Sequence, residues 1–265
     1  MNQSKWLAPA SVVLFSCALP SCAPSSAVDA QGNPVGGGAS SSLRAEGAQV
    51  FSKYKQQKSV NRSSTYNAPV QRVAARLTKV IPLANADWEF VVFNDPTPNA
   101  FALPGGKVGV HTGLFKITKN DAGLATVLAH EILHVTANHA GSRKTQATGV
   151  ALGGLLLDTV LGSQGASSAA RQTAGQLYGT GSSLAVALPH SRRQELEADR
   201  IGMIYMARAG YDPAEAVGLW ERFAAYNRSQ GASTPEFLRT HPLDQTRINA
   251  LKEALPEAQA IYNSQ

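Results

Sequence analysis

Residues 124–135 read Leu-Ala-Thr-Val-Leu-Ala-His-Glu-Ile-Leu-His-Val. The segment is apolar nearly all the way round a helix, which is typical of a helix buried on every side. Its polar members are Thr126, His130, Glu131 and His134. Burying a carboxylate and two imidazoles together is costly unless something satisfies them. The segment therefore predicts a buried helix that carries a functional site.

The spacing of these polar residues indicates a metal site. His130 and His134 are four residues apart, so on a helix they present their ring nitrogens to a single point. Glu131 lies about 100° further round the helix, where it reaches a water at that point without being a ligand. His-Glu-x-x-His on a helix suits zinc with the glutamate as base. The alternative is two core histidines satisfied by hydrogen bonds.

A catalytic zinc needs a third protein ligand and an open position for water. Glu195 and Asp199 are four residues apart on a predicted helix, so both face one partner. We expect Glu195 to bind zinc and Asp199 to accept a hydrogen bond from the far N–H of His130, which fixes that ring's tautomer. Glu197 falls on the opposite side of the helix and is expected to be solvated.

His139 is a weaker candidate for the third ligand. It follows His134 by five residues, so a continuous helix rotates it about 140° away. The metzincin pattern would place glycine and histidine where this chain has Ala137 and Ala140, so that pattern is rejected. We expect His139 to be a surface or second-layer residue.

Composition narrows the functional classes. Hydrophobic residues make up 43% of the 265 residues and charged residues 16%, which argues against a disordered chain. The net charge is +6, but aromatic residues are only 7% and no dense basic run exists, so no nucleic-acid partner is expected. Cys17 and Cys22 are the two cysteines. Their position excludes a disulfide framework, a Cys-rich zinc site and a catalytic thiol in the folded part.

The N-terminus has the features of an export signal. Lys5 precedes an apolar run over residues 6–19 that is too short to span a bilayer. Leucine stands three positions before both Cys17 and Cys22, as in a bacterial lipobox, where the cysteine is lipidated and becomes the mature N-terminus. We favour Cys22, because more apolar residues precede it, over Cys17 or ordinary cleavage near Ala30. Residues 1–21 are thus predicted to be a lipoprotein-type signal peptide.

The remaining sequence predicts a linker and one domain. Residues 22–42 are rich in Ala, Ser, Gly and Pro and are expected to be a flexible linker, with a domain over 43–265. We expect an exported, periplasmic, lipid-anchored protein tied to the membrane by its N-terminus. Ala23 follows the cysteine in place of the Asp that often retains lipoproteins at the inner membrane, which favours the outer membrane.

The periodicity of the domain predicts an α+β, mainly α fold with a small antiparallel β-sheet. Helices are expected over residues 43–58 and 67–81, and strands over 88–93, 99–103 and 107–111, with a tight turn at 104–106. Most of the rest is expected to be helical. Residues 147–161 are predicted to form a packed helix or hairpin under the active site, because they are short, glycine-rich and carry Asp158. Further helices are expected to start at Asp212-Pro213 and at Pro242.

These motifs, in this order, resemble peptidase family M48 metalloproteases, which include bacterial periplasmic quality-control proteases and mitochondrial inner-membrane relatives. The matching residues are Asn99-Ala100-Phe101, Pro104-Gly105-Gly106, His130-Glu131-x-x-His134, Ser191-Arg192, Glu195-x-Glu197-Ala198-Asp199, His241-Pro242 and Arg247. The resemblance implies a zincin-like fold, one zinc ion (Zn2+) per chain and endopeptidase activity on unfolded or misassembled proteins. Some members carry transmembrane helices, and this sequence is more similar to the exported, soluble-domain branch.

The resemblance also places His241 and Arg247 near the site. Pro242 is expected to hold His241 at a helix start, where it approaches the zinc as a removable fourth ligand or steadies the oxyanion. The alternative is an N-cap histidine and a surface arginine.

The predicted reaction is peptide-bond hydrolysis. Zinc on His130, His134 and Glu195 would lower the pKa of its bound water to ~7 and polarise the scissile carbonyl. Glu131 would take the proton of the water and pass it to the leaving amine. The rival hypotheses are a zinc-containing periplasmic chaperone or assembly factor, in which proteolysis is secondary, and a lipoprotein scaffold without metal.

Substrate binding is assigned to one strand. The strand that begins with Asn99, Ala100 and Phe101 is a candidate edge where an extended substrate adds main-chain hydrogen bonds. The alternative is a purely structural hairpin. Pairing through the backbone would tolerate many sequences, as expected for unfolded or misassembled envelope proteins.

Overall fold

The computed structural model describes residues 28–35, 38–81, 83, 85–174, 191–231 and 234–265. The predicted signal peptide and Cys22 lie outside the described residues. The elements, in chain order, are α1 (Ser41–Gln57), α2 (Ser64–Val80), β1 (Glu89–Phe93), β2 (Ala100–Leu103), β3 (Lys107–His111), a 3-10 turn (Thr112–Leu114), α3 (Phe115–Thr118), α4 (Asp121–Thr136), α5 (His139–Ser163), α6 (Arg192–Arg208), α7 (Ala214–Ser229), α8 (Glu236–Thr240) and α9 (Gln245–Asn263).

Helix α4 is the buried helix that the sequence predicts. Every residue from Gly123 to Thr136 is buried. Asn120 begins the helix by accepting a hydrogen bond from the Gly123 N–H at 2.8 Å. The helix packs against α2, α6 and α7. Gly202 of α6 faces the backbone of α4. A Cβ added at Gly202 would lie 3.4 Å from the backbone nitrogen of His130, so the two helices approach closely.

The three strands form one sheet in the order β1-β3-β2. β2 pairs antiparallel with β3, as predicted, through the turn in which Gly105 and Gly106 take φ values of 90° and 89°. β1 pairs parallel with β3, so the expected antiparallel sheet is in fact mixed. The reason is the connection over residues 94–99, which places β2 one strand position away from β1. Strand β3 then pairs with both and forms the centre of the sheet. The predicted α+β, mainly α class is confirmed.

Helix α1 covers the sheet face opposite to α2 and α4. Phe51 packs edge-on against Phe93, with ring centroids 6.1 Å apart, and Tyr54 packs against Phe101 at 4.9 Å. The Tyr54 hydroxyl lies 2.8 Å from Nε2 of the buried His111. The sheet therefore lies between two helical layers, with β2 in contact with both α1 and α4.

Part of the predicted flexible linker is packed on the domain. Val28 is buried, and the Tyr205 hydroxyl of α6 donates a hydrogen bond to the Gly32 carbonyl at 2.5 Å. Arg200 donates to the Ala30 carbonyl at 2.9 Å. The first helix begins at Ser41, just before the predicted domain boundary. Contacts with the domain therefore begin within the segment expected to be a linker.

Residues 147–161 are helical, as expected, and belong to the single long helix α5. The expectation that this segment is packed under the active site is wrong for the side chains that the structure describes. Its apolar side chains with described burial stay in contact with solvent: Leu152, Leu155, Leu156 and Val160 are between 55% and 65% exposed. Within the described ranges, no helix has both the length and the apolar character that crossing a membrane requires.

The final helix begins later than predicted. Asp244 caps it by accepting a hydrogen bond from the Arg247 N–H at 3.0 Å, so α9 starts at Gln245 and not at Pro242. An aspartate supplies the acceptor that a helix N-terminus needs. His241 instead follows the last residue of the short helix α8, and its N–H donates to the Phe237 carbonyl at 2.9 Å.

Candidate metal centre

Three separate elements bring four ligand atoms together. His130 and His134 come from α4, Glu195 from the first turn of α6, and His241 from the end of α8. One potential ligand atom from each residue lies within 4.8 Å of those of the other three, and all four residues are buried. The site therefore contains the three predicted ligands together with His241.

The position of Glu195 is set by the start of α6. The Ser191 side chain accepts a hydrogen bond from the Gln194 N–H at 3.3 Å, and the Gln194 side chain accepts one from the Ser191 N–H at 3.1 Å. This capping box fixes the first turn of the helix. A carboxylate in a first turn is also stabilised by the positive end of the helix dipole.

The ligand atoms face one another, which fits a cation. Nε2 of His130 lies 3.1 Å from Nε2 of His134 and 3.2 Å from Nδ1 of His241. Glu195 Oε1 lies 3.4 Å from His134 Nε2 and 3.1 Å from His241 Nδ1. Two buried oxygens at the site, Glu131 Oε1 and Glu195 Oε2, accept no hydrogen bond of good geometry, although nitrogens of His241 and Arg247 lie near them. Imidazole nitrogens and a carboxylate that converge in this way are a donor set that suits zinc.

Glu131 lies beside this group without belonging to it. Its Oε1 is 3.2 Å from His241 Nε2, and the side chain is buried. Burial raises the pKa of Glu131, and the charges of His241 and His130 only partly offset that effect. A raised pKa makes the Glu131 carboxylate a stronger base, which suits a group that accepts a proton.

Asp199 holds His130 from behind, as predicted from the spacing. Its Oδ1 lies 3.1 Å from His130 Nδ1. Arg247 in turn holds Asp199 through two hydrogen bonds, from Nη2 to Oδ1 at 2.7 Å and from Nε to Oδ2 at 2.8 Å. The Arg247 guanidinium also lies 4.4 Å from the centre of the Trp220 ring and 2.8 Å from Glu195 Oε2. Arg247 is only 1% exposed, so the surface-arginine alternative is wrong.

The electrostatics of the site keep the carboxylates of Asp199 and Glu195 ionised. Burial by itself raises the pKa of Asp199, but Arg247 and His130 outweigh burial and lower it. In Glu195, burial is likewise outweighed by the charges of His241 and His130, so its pKa is well below the ordinary value. In His130 burial lowers the pKa, but hydrogen bonds to Asp199 and Glu195 raise it to about 9. A bound dication would reverse this, since a ligating imidazole must be neutral.

Strand β2 runs along the site. It is an edge strand of the described sheet, and a backbone hydrogen bond from Ala102 is one of the influences that lower the pKa of Glu131. Phe101 and Ala102 are half-buried, whereas Ala100 is buried. The carbonyl of Asn99 already accepts a hydrogen bond from the His111 N–H at 2.9 Å. The part of β2 nearest the site is therefore its second half.

His139 lies closer to the site than a continuous helix would place it. The chain turns between α4 and α5, where Asn138 takes the left-handed conformation with φ 50° and ψ 40°. His139 is buried as a result, and its Nδ1 lies 2.7 Å from Nδ1 of His134. Glu197 was expected to be solvated, but its side chain is 20% exposed and contacts His139. Asparagine often ends helices in the left-handed conformation, so Asn138 after the last apolar turn of α4 was the sequence signal for this change of direction.

Comparison with known proteins identifies the family. Residues 64–255 match the family described as Peptidase family M48. The chain is 41% identical over 180 residues to the mitochondrial metalloendopeptidase OMA1 of Saccharomyces cerevisiae, covering 66% of this chain and 49% of that protein. It is 34% identical over 186 residues to the beta-barrel assembly-enhancing protease of Escherichia coli K12, covering 68% and 37%.

The chain belongs to peptidase family M48, which confirms the resemblance seen in its motifs. The OMA1 protein of Schizosaccharomyces pombe is 39% identical over 190 residues, covering 72% of this chain and 53% of that relative. The chain thus spans about half the length, or less, of these relatives.

Replacing Arg247 tests the charge balance of the site. Arg247→Met removes the guanidinium that neutralises Asp199 and Glu195 and leaves two buried carboxylates. We expect the free energy of unfolding to fall by about 3–5 kcal/mol. Urea denaturation in the presence of a chelator measures it.

The matched control is Arg192→Met, which breaks an exposed ion pair with Asp244. That change should cost less than about 1 kcal/mol. Equal losses in the two variants would contradict the buried charge balance described here.

Proposed function

We propose that this chain is a zinc-dependent metalloendopeptidase that binds one zinc ion through His130, His134 and Glu195. The observation that carries the proposal is the convergence of these three ligand atoms beside Glu131, a buried carboxylate outside the ligand set. Two histidines and a carboxylate are the ligands of several zinc peptidases. The matched relatives named metalloendopeptidase and protease support the same activity.

The residues of the chain have separate tasks in this reaction. When bound, zinc supplies Lewis-acid chemistry, which polarises a peptide carbonyl and makes water acidic. Glu131 takes the proton of the attacking water and passes it to the leaving amine, as a general base and then a general acid. Asp199, held by Arg247, keeps the Nδ1 proton of His130 in place and so directs Nε2 to the site.

His241 has a regulatory position in this scheme. Its Nδ1 belongs to the converging group, while its Nε2 lies 3.2 Å from Glu131 Oε1. A catalytic zinc needs one open position, and His241 would fill it. We therefore propose that His241 is a removable fourth ligand of the resting state. Its withdrawal would free both the open position and the carboxylate of Glu131, and in the open state it could steady the oxyanion.

The proposed substrates are unfolded or misassembled polypeptides, bound in extended form along β2. An edge strand offers main-chain groups that recognise any extended backbone. The second half of β2 lies next to Glu131, which would place a paired substrate beside the base. The E. coli relative is named for β-barrel assembly, which supports envelope proteins as the substrate class.

The proposed location is the periplasm, with a lipid on Cys22 that anchors the chain, preferably in the outer membrane. The support is the apolar run and the two Leu-x-x-Cys stretches near the N-terminus. Intact mass spectrometry of the membrane-fraction protein should give a chain that starts at Cys22 and carries acyl groups. A mature chain that starts near Ala30 without lipid would contradict the anchor. A mature chain that starts at Cys17 would show that Cys17, and not Cys22, carries the lipid.

Glu131→Gln tests the proposed activity. The variant keeps the shape of the side chain but removes the base, so we expect casein cleavage to fall by about 10²–10⁴-fold. Zinc content should stay at one ion per chain, because Glu131 is not in the ligand group. Unchanged cleavage would contradict the mechanism.

The matched control is Glu221→Gln, which alters an exposed glutamate paired with Lys252 and should leave cleavage unchanged. Complementation of a deletion strain then separates the proposal from its rival. If Glu131→Gln restores growth fully, the essential task is binding, as in a zinc-containing chaperone or assembly factor.

A further inference from the structure

Besides the contacts from His130 to Asp199 and Arg247, a second series of polar contacts extends outward from the metal centre and begins at His134. Nδ1 of His134 lies 2.7 Å from Nδ1 of His139. Nε2 of His139 lies 3.2 Å from Oε2 of Glu197. His134 and His139 are both buried, and the Glu197 side chain is 20% exposed. The contacts thus run from the site outward and end on a carboxylate at the edge of solvent.

The hydrogen-bonding capacities allow one consistent arrangement of protons. If zinc takes the Nε2 lone pair of His134, the neutral ring carries its proton on Nδ1 and donates it. Nδ1 of His139 must then accept, which places the proton of His139 on Nε2. That proton points to Oε2 of Glu197, which as a carboxylate only accepts. Each donor in the chain therefore meets an acceptor.

The same logic governs the other histidine. His130 donates from Nδ1 to Asp199, and Asp199 is held by Arg247. Metal-ligating histidines usually donate their second N–H to a carboxylate or carbonyl, which fixes the tautomer and the ring orientation. His134 meets a histidine in that place, and the carboxylate stands one step further out.

We propose that His139 and Glu197 position His134 for zinc, with His139 as the acceptor of its Nδ1 proton and Glu197 as the group that fixes the tautomer of His139. Helix α6 then supplies the ligand Glu195 and the supporting carboxylates of both histidine branches. The corner at Asn138 makes this possible, because it turns His139 back beneath His134. The inference rests on the proposed zinc site, but not on proteolysis.

The test uses the full chain and measures its zinc dissociation constant by competition with a chelator. His139→Ala removes the acceptor, and we expect the constant to rise about 10–100-fold. Glu197→Ala should raise it as well, because His139 is then free to turn. Glu197→Gln keeps a carbonyl oxygen that accepts the same proton and should stay within about threefold of the unmodified protein.

The double variant separates positioning from general damage. If Glu197 acts through His139, combining His139→Ala with Glu197→Ala should raise the constant no further than His139→Ala alone. The matched control Glu221→Ala removes an exposed glutamate of α7 and should leave the constant unchanged. Independent, multiplying effects in the double variant would overturn the proposal.

A spectroscopic reading distinguishes positioning from packing. In the zinc-loaded protein, NMR should show a slowly exchanging Nδ1 proton on His134 in the unmodified chain and in Glu197→Gln. It should be lost to solvent exchange in His139→Ala, while the Nδ1 proton of His130, held by Asp199, persists as the internal reference. Persistence of the His134 proton in His139→Ala would overturn the proposal.

The Glu197 variants also test the proposal if His139→Ala does not fold or if the protein has no peptidase activity. Should His139→Ala fail to fold, the Glu197 variants decide, because that side chain lies at the edge of solvent. A zinc constant within twofold of the unmodified value in Glu197→Ala would then overturn it. Loss of zinc affinity in Glu197→Ala, found in a protein without peptidase activity, would support the positioning role while refuting the proposed function.

Discussion

The cost of burying charged and polar side chains together governs this structure. The metal centre alone places three imidazoles, of His130, His134 and His241, and the carboxylates of Glu131 and Glu195 in the core with at most 5% exposure each. Such groups are destabilising in the interior unless they are paired or bound to a metal. The fold satisfies these buried groups on two levels. The inner level is the convergent ligand group, which suits a cation, and the outer level is the layer of hydrogen bonds around it. The packing of the rest of the domain fixes the relative positions of these side chains.

Helix α6 links the two levels. Its first turns carry Glu195 in the metal group, Asp199 behind His130 and Glu197 behind His139. The capping box at Ser191 fixes where that helix begins, and Gly202 lets it lie against α4. The three proposed ligands His130, His134 and Glu195 therefore lie on two helices that pack against each other, and not on loops. An active site built on rigid elements keeps its geometry more accurately than one built on loops.

The sequence predicted what depends on local spacing. The buried helix and the shared face of Glu195 and Asp199 follow from a fixed period along one element. The contact of Asp199 with His130 follows from that shared face together with the carboxylate partner that a metal-ligating histidine usually has. Strand β2 was expected as a candidate edge strand, and it lies at an edge of the described sheet. It did not predict what depends on chain reversal. The parallel pairing of β1 with β3 needs the path of residues 94–99, and the burial of His139 needs the left-handed Asn138.

The role of Arg247 shows the same limit. The resemblance placed it near the site, but only the packed structure shows that it joins Asp199, Glu195 and Trp220. The start of the last helix was misplaced because Pro242 is a common first helical residue, whereas Asp244 supplies the actual cap. The hydrogen bond from the Arg247 N–H to Asp244 shows which of the two start signals begins the helix.

X-ray absorption at the zinc edge, combined with metal analysis of the purified full chain, decides whether the buried ligand group binds zinc. We expect one zinc per chain with scattering from at least two imidazole rings and from oxygen, and loss of bound zinc in Glu195→Ala. A folded protein without stoichiometric metal, or a zinc spectrum without imidazole scattering, would contradict it.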